Sequence, residues 1–259
     1  MVITLLSDFG DVYPASMKGV ILRIHPDAKL VDISHSIPHH DIRAGAFILM
    51  TAARYFPSRT VHITVVDPGV GTKRRAIAIM ARSPGGEIHY FIGPDNGILI
   101  PAAKSIGEFE VYEITNDSLF LKKLSSTFHG RDIFAPVGAH ISKGMDIVEV
   151  GSRIFDFAGL DFGKGKKTNN SIEGDIIFVD SFGNIVTNIS PGTFDFKYGD
   201  ILDIQGIKIP FLNSYGSCNE GDALCLIGSH GYLEIAVNQG NAASFFNKKQ
   251  GDRILIGFQ

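Results

Sequence analysis

The sequence predicts an α/β protein: an N-terminal α/β sandwich with a mainly parallel sheet, followed by a small C-terminal antiparallel β-barrel-like domain. Three observations carry this. The first 160 residues alternate short apolar runs with amphipathic helical segments, a pattern that needs a sheet covered on both faces. Near residue 160 the chain turns polar and glycine-bearing in L-D-F-G-K-G-K-K-T-N-N-S. Beyond it, β-rich segments follow one another at close spacing with turn residues between them. The expected domains are 1–160, a linker at 161–172, and 173–259.

Val2 to Leu6 reads as a first core strand ending at Ser7-Asp8-Phe9-Gly10. Tyr13 to Ile24 places Met17, Val20, Ile21 and Ile24 on one helical face, and Pro26 stops it. Lys29 to Ile33 is a second strand, Ala44 to Tyr55 a helix, and Thr60 to Val66 a third strand dense in β-branched residues. Ala76 to Ala81 and Ile88 to Gly93 flank an S-P-G-G turn as a strand pair. A further helix is expected over Ile133 to His140. In the second half, strands are expected at Asp175–Val179, Asn184–Ile189, Ile201–Ile204, Ile207–Ile209, Ala223–Ile227, Gly231–Val237 and Arg253–Ile256.

Composition excludes several classes. Hydrophobic residues make up 44% and charged ones 20% of 259 residues, as in an ordinary globular protein. A net charge of -3 gives no basic surplus for nucleic acid. Apolar runs such as Gly45 to Ala53 fall short of the roughly 20 residues that span a bilayer. The N-terminus lacks the basic and small-residue features of a signal peptide, so a cytoplasmic location is expected. The two cysteines, Cys218 and Cys225, match neither a disulfide framework nor a zinc spacing and read as buried thiols.

In parallel sheets ligands collect at the carboxyl ends of strands. Asp8 and Asp67 both fall at such ends, and the second is followed closely by Lys73, Arg74 and Arg75 in V-V-D-P-G-V-G-T-K-R-R. The spacing there is not that of a phosphate loop. His35, His39 and His40 in H-S-I-P-H-H-D invite a metal reading, but Pro38 forces an extended or turn backbone and no second cluster has ligand spacing. S-S-T-F-H-G-R-D-I-F-A-P, residues 125–136, sets His129, Arg131 and Asp132 before a helix start, where function competes with capping and ion pairing. Residues 178–189 read as strand, turn and strand, and residues 228–243 as turn, strand and turn.

Six stretches taken in order resemble one family: L-S-D-F-G at 6–10, V-D-P-G-V-G-T-x-R-R at 66–75, G-P-D-N-G at 93–97, T-F-H-G-R-D-I-F-A-P at 127–136, D-S-F-G-N-I-V-T-N at 180–188 and S-H-G-Y-L-E-I-A at 229–236. It is the S-adenosyl-L-methionine hydroxide adenosyltransferase family, relatives of the fluorinating and chlorinating enzymes. The resemblance implies hydrolysis of S-adenosylmethionine to adenosine and L-methionine by water or hydroxide attacking the ribose 5′-carbon. It implies no metal and no cofactor, the small molecule being the substrate, and a homotrimer with active sites formed between neighbouring subunits. By the same resemblance Asp67, Arg74 and His129 are catalytic, with Arg75 replacing Arg74 if the register slips by one. Asp8 matches a ribose-binding carboxylate. Asp180, Phe182 and Asn184 match a turn that meets methionine and adenine, Tyr215 an aromatic residue on the base, and Ser229 the start of a polar substrate-holding stretch with Glu234 nearby. His230 stands where halogenating relatives have arginine, and its role is open. Those relatives carry tyrosine, threonine and serine at the positions of Asp67, Val70 and Gly130, which argues against halide chemistry here. A non-catalytic S-adenosylmethionine sensor would need the binding residues without the Asp67, Arg74 and His129 set, and a metal-dependent hydrolase would need the histidine cluster.

Overall fold

The computed structural model describes residues 1–258, which divide into two compact units, residues 1–161 and 162 onward. The first opens with β1 (Val2–Ser7), α1 (Pro14–Ile24), β2 (Lys29–Ser34), α2 (Ile42–Ala53) and β3 (Val61–Val65). It continues through β4 (Ala76–Arg82), β5 (Ile88–Pro94), α3 (Ile100–Ile106), β6 (Glu108–Glu113), α4 (Ala135–Ser142) and β7 (Arg153–Ile154). Proline stands at the start of α1, where its fixed φ suits a helix and its missing N–H costs nothing. Asp41 caps α2 by accepting from the Ala44 N–H at 2.8 Å.

The seven strands form one sheet in the order β2-β1-β3-β5-β4-β6-β7. The pairs β1–β2, β1–β3 and β3–β5 are parallel, while β4 and β6 enter antiparallel, so the sheet is mixed, with a parallel half that carries the buried strands β1 and β3. Helix α1 packs with α4, and α2 with α3. Phe134, Ile3, Leu5, Ile21 and Ile63 are among the fully buried side chains of this core. The sequence reading missed α3 and β6. The first is only seven residues long, and the second, E-F-E-V-Y-E, is masked by its glutamates.

The second unit contains β8 (Lys166–Lys167), β9 (Ser171–Val179), β10 (Ile185–Thr187), β11 (Ile201–Ile204), β12 (Ile207–Pro210), β13 (Ala223–Ile227), β14 (Leu233–Val237), a short α5 (Ala242–Phe245) and β15 (Arg253–Gly257). Apart from β8, which pairs with β9, the order is β12-β11-β15-β9-β10-β14-β13, all antiparallel. The two ends of this order meet just past β12, where the Leu212 N–H donates to the Cys225 carbonyl at 2.8 Å. The sheet is therefore a nearly closed barrel filled by isoleucines and by Phe194, Phe211 and Phe246. Cys225 lies fully buried on β13, and burial pushes its thiol up, away from the reactive thiolate. Cys218 is only half-buried, which departs from the expectation for that residue: it sits in the turn before β13, not on a strand.

Candidate functional site

In the first unit the strand order dictates what meets. β1 and β3 are adjacent and parallel with Ser7 opposite Val65, so the chain segments carrying Asp8 and Asp67 leave the sheet side by side at its carboxyl edge. Asp8 is buried, and its Oδ2 accepts the backbone N–H of His40 at 2.9 Å. His40 holds a left-handed backbone, φ 66°, to make that contact.

Asp67 is gripped by Arg74 through two parallel bonds. Nε donates to Oδ1 at 3.1 Å and Nη2 to Oδ2 at 2.5 Å, with both side chains almost fully enclosed. The third arm, Nη1, donates to the Arg75 carbonyl at 2.8 Å. Nη2 also lies 3.2 Å from His129 Nδ1. A guanidinium has no lone pair, so Nδ1 must be the acceptor and a neutral His129 carries its proton on Nε2. Burial first, then the Arg74 charge, pulls the His129 ring below its ordinary value, opposed in part by Asp67 and Asp132. The Arg74 guanidinium also sits 5.4 Å from the centre of the fully buried Phe134 ring.

Two local devices bring His129 to this pair. The chain enters α4 through a π turn, Gly130–Phe134, with His129 at its head. Gly71, at φ 75° in the turn between Asp67 and Arg74, lies so near Ser126 that a side-chain carbon there would stand 2.3 Å from the Ser126 carbonyl oxygen. Only glycine permits both that backbone and that approach. Arg131 and Asp132 do not join the group. Asp132 is wholly buried, paired with Arg131 Nε at 2.6 Å and accepting the Ser125 N–H at 2.6 Å, so it shapes the loop carrying His129. Arg75 turns away to Asp95 and Asp156, so the one-residue register slip is not what the structure has.

The three histidines of the 35–40 stretch do not converge. His35 is mostly enclosed, with Nδ1 2.8 Å from Ser7 Oγ. Its Nε2 is 3.0 Å from Asp32 Oδ1, close enough for charge pairing but not aligned as a hydrogen bond. His39 and His40 are exposed. Among the described residues no group of three or more His, Cys, Asp or Glu side chains is arranged to hold a metal ion.

In the second unit a hollow of about 550 Å³ is lined by Asp180, Phe182, Asn184, Tyr215, Val237, Gln239 and Gly240. Asp180 organises its turn by accepting the Phe182 and Asn184 N–H groups at 2.9 and 2.8 Å and the Asn184 amide at 3.0 Å. Gly183, at φ 85°, lies flat against the Asn241 side chain. The turn thus presents the Phe182 ring, 75% exposed, on a fixed base. Glu234 is buried on β14; Oε1 accepts from the Tyr215 hydroxyl at 2.5 Å and Oε2 lies 3.0 Å from His230 Nε2. Burial, then the bond to Glu234, pushes the Tyr215 phenol up, keeping it a donor. Ser229 is exposed in the turn between β13 and β14 and is not among the residues lining the hollow. Val237, Gln239 and Gly240 were missed by sequence reasoning; only their place at the end of a strand could have signalled them.

A carboxylate, guanidinium and imidazole meet at the carboxyl end of the parallel half of a mixed sheet, in a chain whose second unit is a nearly closed barrel with an aromatic hollow. This is an α/β architecture of the kind in which strand ends collect ligands. The chain belongs to the SAM hydroxide adenosyltransferase family: the N-terminal domain of that family matches residues 3–151 and its C-terminal domain residues 174–255. It is 38% identical to an (R)-S-adenosyl-L-methionine hydrolase of Methanocaldococcus jannaschii over 98% of this chain and 95% of that one, and 33% identical to one of Salinispora tropica at 98% and 97%. A fluorinase of an Actinoplanes species is 29% identical over 98% and 97%. The crystal structure of an uncharacterized conserved protein from Thermotoga maritima matches with a TM-score of 0.89 at 37% identity, covering 99% of this chain and all of the other.

Proposed function

We propose that this protein hydrolyses S-adenosyl-L-methionine to adenosine and L-methionine by in-line attack of water on the ribose 5′-carbon. The single observation that carries the reading is the Asp67–Arg74–His129 cluster. The sulfonium leaves as a neutral thioether, so the leaving group needs no acid; the demand is for an aimed, partly deprotonated water. The water oxygen bonds to the carbon, the carbon–sulfur electron pair goes to sulfur, and one water proton is released. With Nδ1 occupied by Arg74, His129 offers Nε2–H as a donor that holds the water oxygen. Asp67 keeps a second lone pair on each oxygen beyond its two bonds to Arg74 and receives the proton. Arg74 fixes both partners and stabilises hydroxide character. Asp8 is assigned to the ribose hydroxyls, and Asp180, Phe182, Asn184, Tyr215, Ser229 and Glu234 to the methionine and adenine portions.

Halide transfer is disfavoured, but not by simple repulsion. Asp67 and Arg74 form a pair of no net charge, so an incoming anion meets a cation whose charge an enclosed carboxylate already balances. The proposal further includes a homotrimer, in which neighbouring subunits complete each other's sites, and a cytoplasmic location. Among the described residues no helix is long and apolar enough to cross a membrane. Sedimentation equilibrium reporting a monomer at working concentration would remove the trimer.

The deciding experiment incubates chelator-treated protein and its Asp67→Ala variant with S-adenosylmethionine in oxygen-18 water. Adenosine labelled at the 5′-oxygen with the wild type and lost with the variant is the expected result. Tight binding without adenosine from either protein would overturn hydrolysis in favour of a sensor.

A further inference from the structure

The turn at Pro94–Gly97 sits in a fork created by the sheet. β5 runs parallel to β3, which leads into Asp67, and antiparallel to β4, which follows Arg75, with Pro94 opposite Ala76. The turn after β5 therefore emerges between the outgoing and returning limbs of the 66–75 loop. Its two side chains reach one limb each. The Asn96 amide donates to the Val66 carbonyl at 2.8 Å, one residue before Asp67. The Asp95 carboxylate accepts from Arg75 Nε at 2.9 Å, one residue after Arg74, and forms an ion pair with Nη2 at 2.8 Å, while its other oxygen accepts the Ala158 N–H at 2.8 Å. The backbone completes the arrangement: the Arg75 carbonyl receives both the Asp95 N–H at 3.0 Å and Arg74 Nη1 at 2.8 Å.

We infer that Asp95 and Asn96 are positioning residues that set the spacing between Asp67 and Arg74 by holding both limbs of their loop from a single turn. Between Asp67 and Arg74 the loop has turn bonds of its own, Val70 to Asp67 and Thr72 to Gly69, but no strand ladder to fix the distance between its ends. The guanidinium meets its carboxylate only if those ends are held, and the shared Arg75 carbonyl ties its third arm to the same turn. Asp95 has a side chain only 5% exposed and is charged, so it is not a solvent-facing cap. Its importance for turnover rests on the hydrolase reading; the clamp geometry does not. A misplacement of about 1 Å at a reacting centre can cost about 100-fold in rate.

The test compares wild type, Asp95→Asn, Asn96→Ala, Asn96→Asp and Arg74→Ala in two assays. The first is steady-state release of adenosine from S-adenosylmethionine. Asp95→Asn, which keeps an acceptor for Ala158 but loses the charge facing Arg75, and Asn96→Ala should lower kcat by roughly 10- to 100-fold with KM within about threefold. Asn96→Asp, which removes the donor to Val66 while keeping the size, should behave as Asn96→Ala. The second assay needs no substrate: the His129 imidazole is titrated by nuclear magnetic resonance. Displacing Arg74 removes a charge that disfavours its protonation, so the midpoint should rise in the clamp variants toward that of Arg74→Ala. Unchanged kcat together with an unchanged His129 midpoint would overturn the clamp. If wild type releases no adenosine, the hydrolase reading falls while the His129 titration still decides the clamp. Should Asp95→Asn fail to fold, the two Asn96 variants decide both arms.

Discussion

Each unit encloses a carboxylate in a cluster that includes a histidine, directly in contact in the second unit and through Arg74 in the first, and the groups that hold the two carboxylates differ in kind. Asp67 is held by a permanent cation, Arg74, on loops at the open edge of a sheet. Glu234, near the start of β14, is held by the Tyr215 hydroxyl and His230. A guanidinium is itself charged at every working pH and polarises whatever lies beside it. A phenol donates one directional bond and carries no charge. The first arrangement suits chemistry on a bound water, the second suits holding a surface in one shape. The lesson is that two clusters of similar residue types suit different work once the fixed charge is counted.

The comparison can be strained first with acid. Eight of the nine histidines belong to the first unit, and His230 alone to the second. His62 is wholly buried, with Nδ1 2.7 Å from Thr4 Oγ1 and Nε2 3.1 Å from His89, and burial pulls it down to about 3. A histidine with a depressed folded value leaves its stability intact above about pH 6.5 and loses it progressively as the pH falls toward that folded value, because only the unfolded chain takes the proton. The loss is on the order of 4 kcal/mol at pH 3. Urea unfolding followed between pH 7 and 4 should show the first unit failing before the second, and His62→Asn should flatten that slope. Equal acid sensitivity of both units would break the contrast.

Next in size is Arg74→Ala, expected to lower kcat by about 100- to 1000-fold, as loss of one preorganised electrostatic donor does. Adenosine release measures it; a drop below tenfold would reduce Arg74 to scaffolding. Tyr215→Phe removes only the bond to Glu234 and should act on the other parameter, raising KM by roughly tenfold, about 1.4 kcal/mol, with kcat little altered. A fall in kcat with KM unmoved would erase the division of labour between the units. Smallest is Phe182→Ala, which should shift stability by less than about 0.5 kcal/mol because the ring is exposed. Calorimetric titration of S-adenosylmethionine should still register weaker binding, and an unchanged affinity would take the ring out of the site.

These contrasts were unevenly legible in the sequence. The parallel half of the sheet was readable because β1 and β3 are continuous apolar runs and β-branched residues mark them plainly. Asp67 and Arg74 were readable as a short-range motif, seven residues apart. The choice of Arg74 over Arg75 was not a matter of spacing alone, since it depends on Asp95 lying in the fork of the sheet to receive the second arginine. The Tyr215–Glu234 bond was unreadable for a similar reason: it spans the turn before β13 and the whole of that strand, so nothing periodic announces it. His35 illustrates the reverse error. A histidine in a polar, proline-bearing stretch reads as surface, yet the neighbouring strand end supplies Ser7 as a partner and encloses it.

The contact at Gly71 has a consequence for anyone who would move this chemistry elsewhere. Because Gly71 rests on the Ser126 backbone, the loop bearing Asp67 and Arg74 and the loop bearing His129 are shaped against each other. Grafting residues 66–75 alone onto a foreign sheet would transplant the ion pair without the surface that spaces it from the imidazole. The smallest transferable cassette comprises both loops together with the Pro94–Gly97 turn that holds the first, and a chimera joined between the loops must preserve the fit at that one glycine.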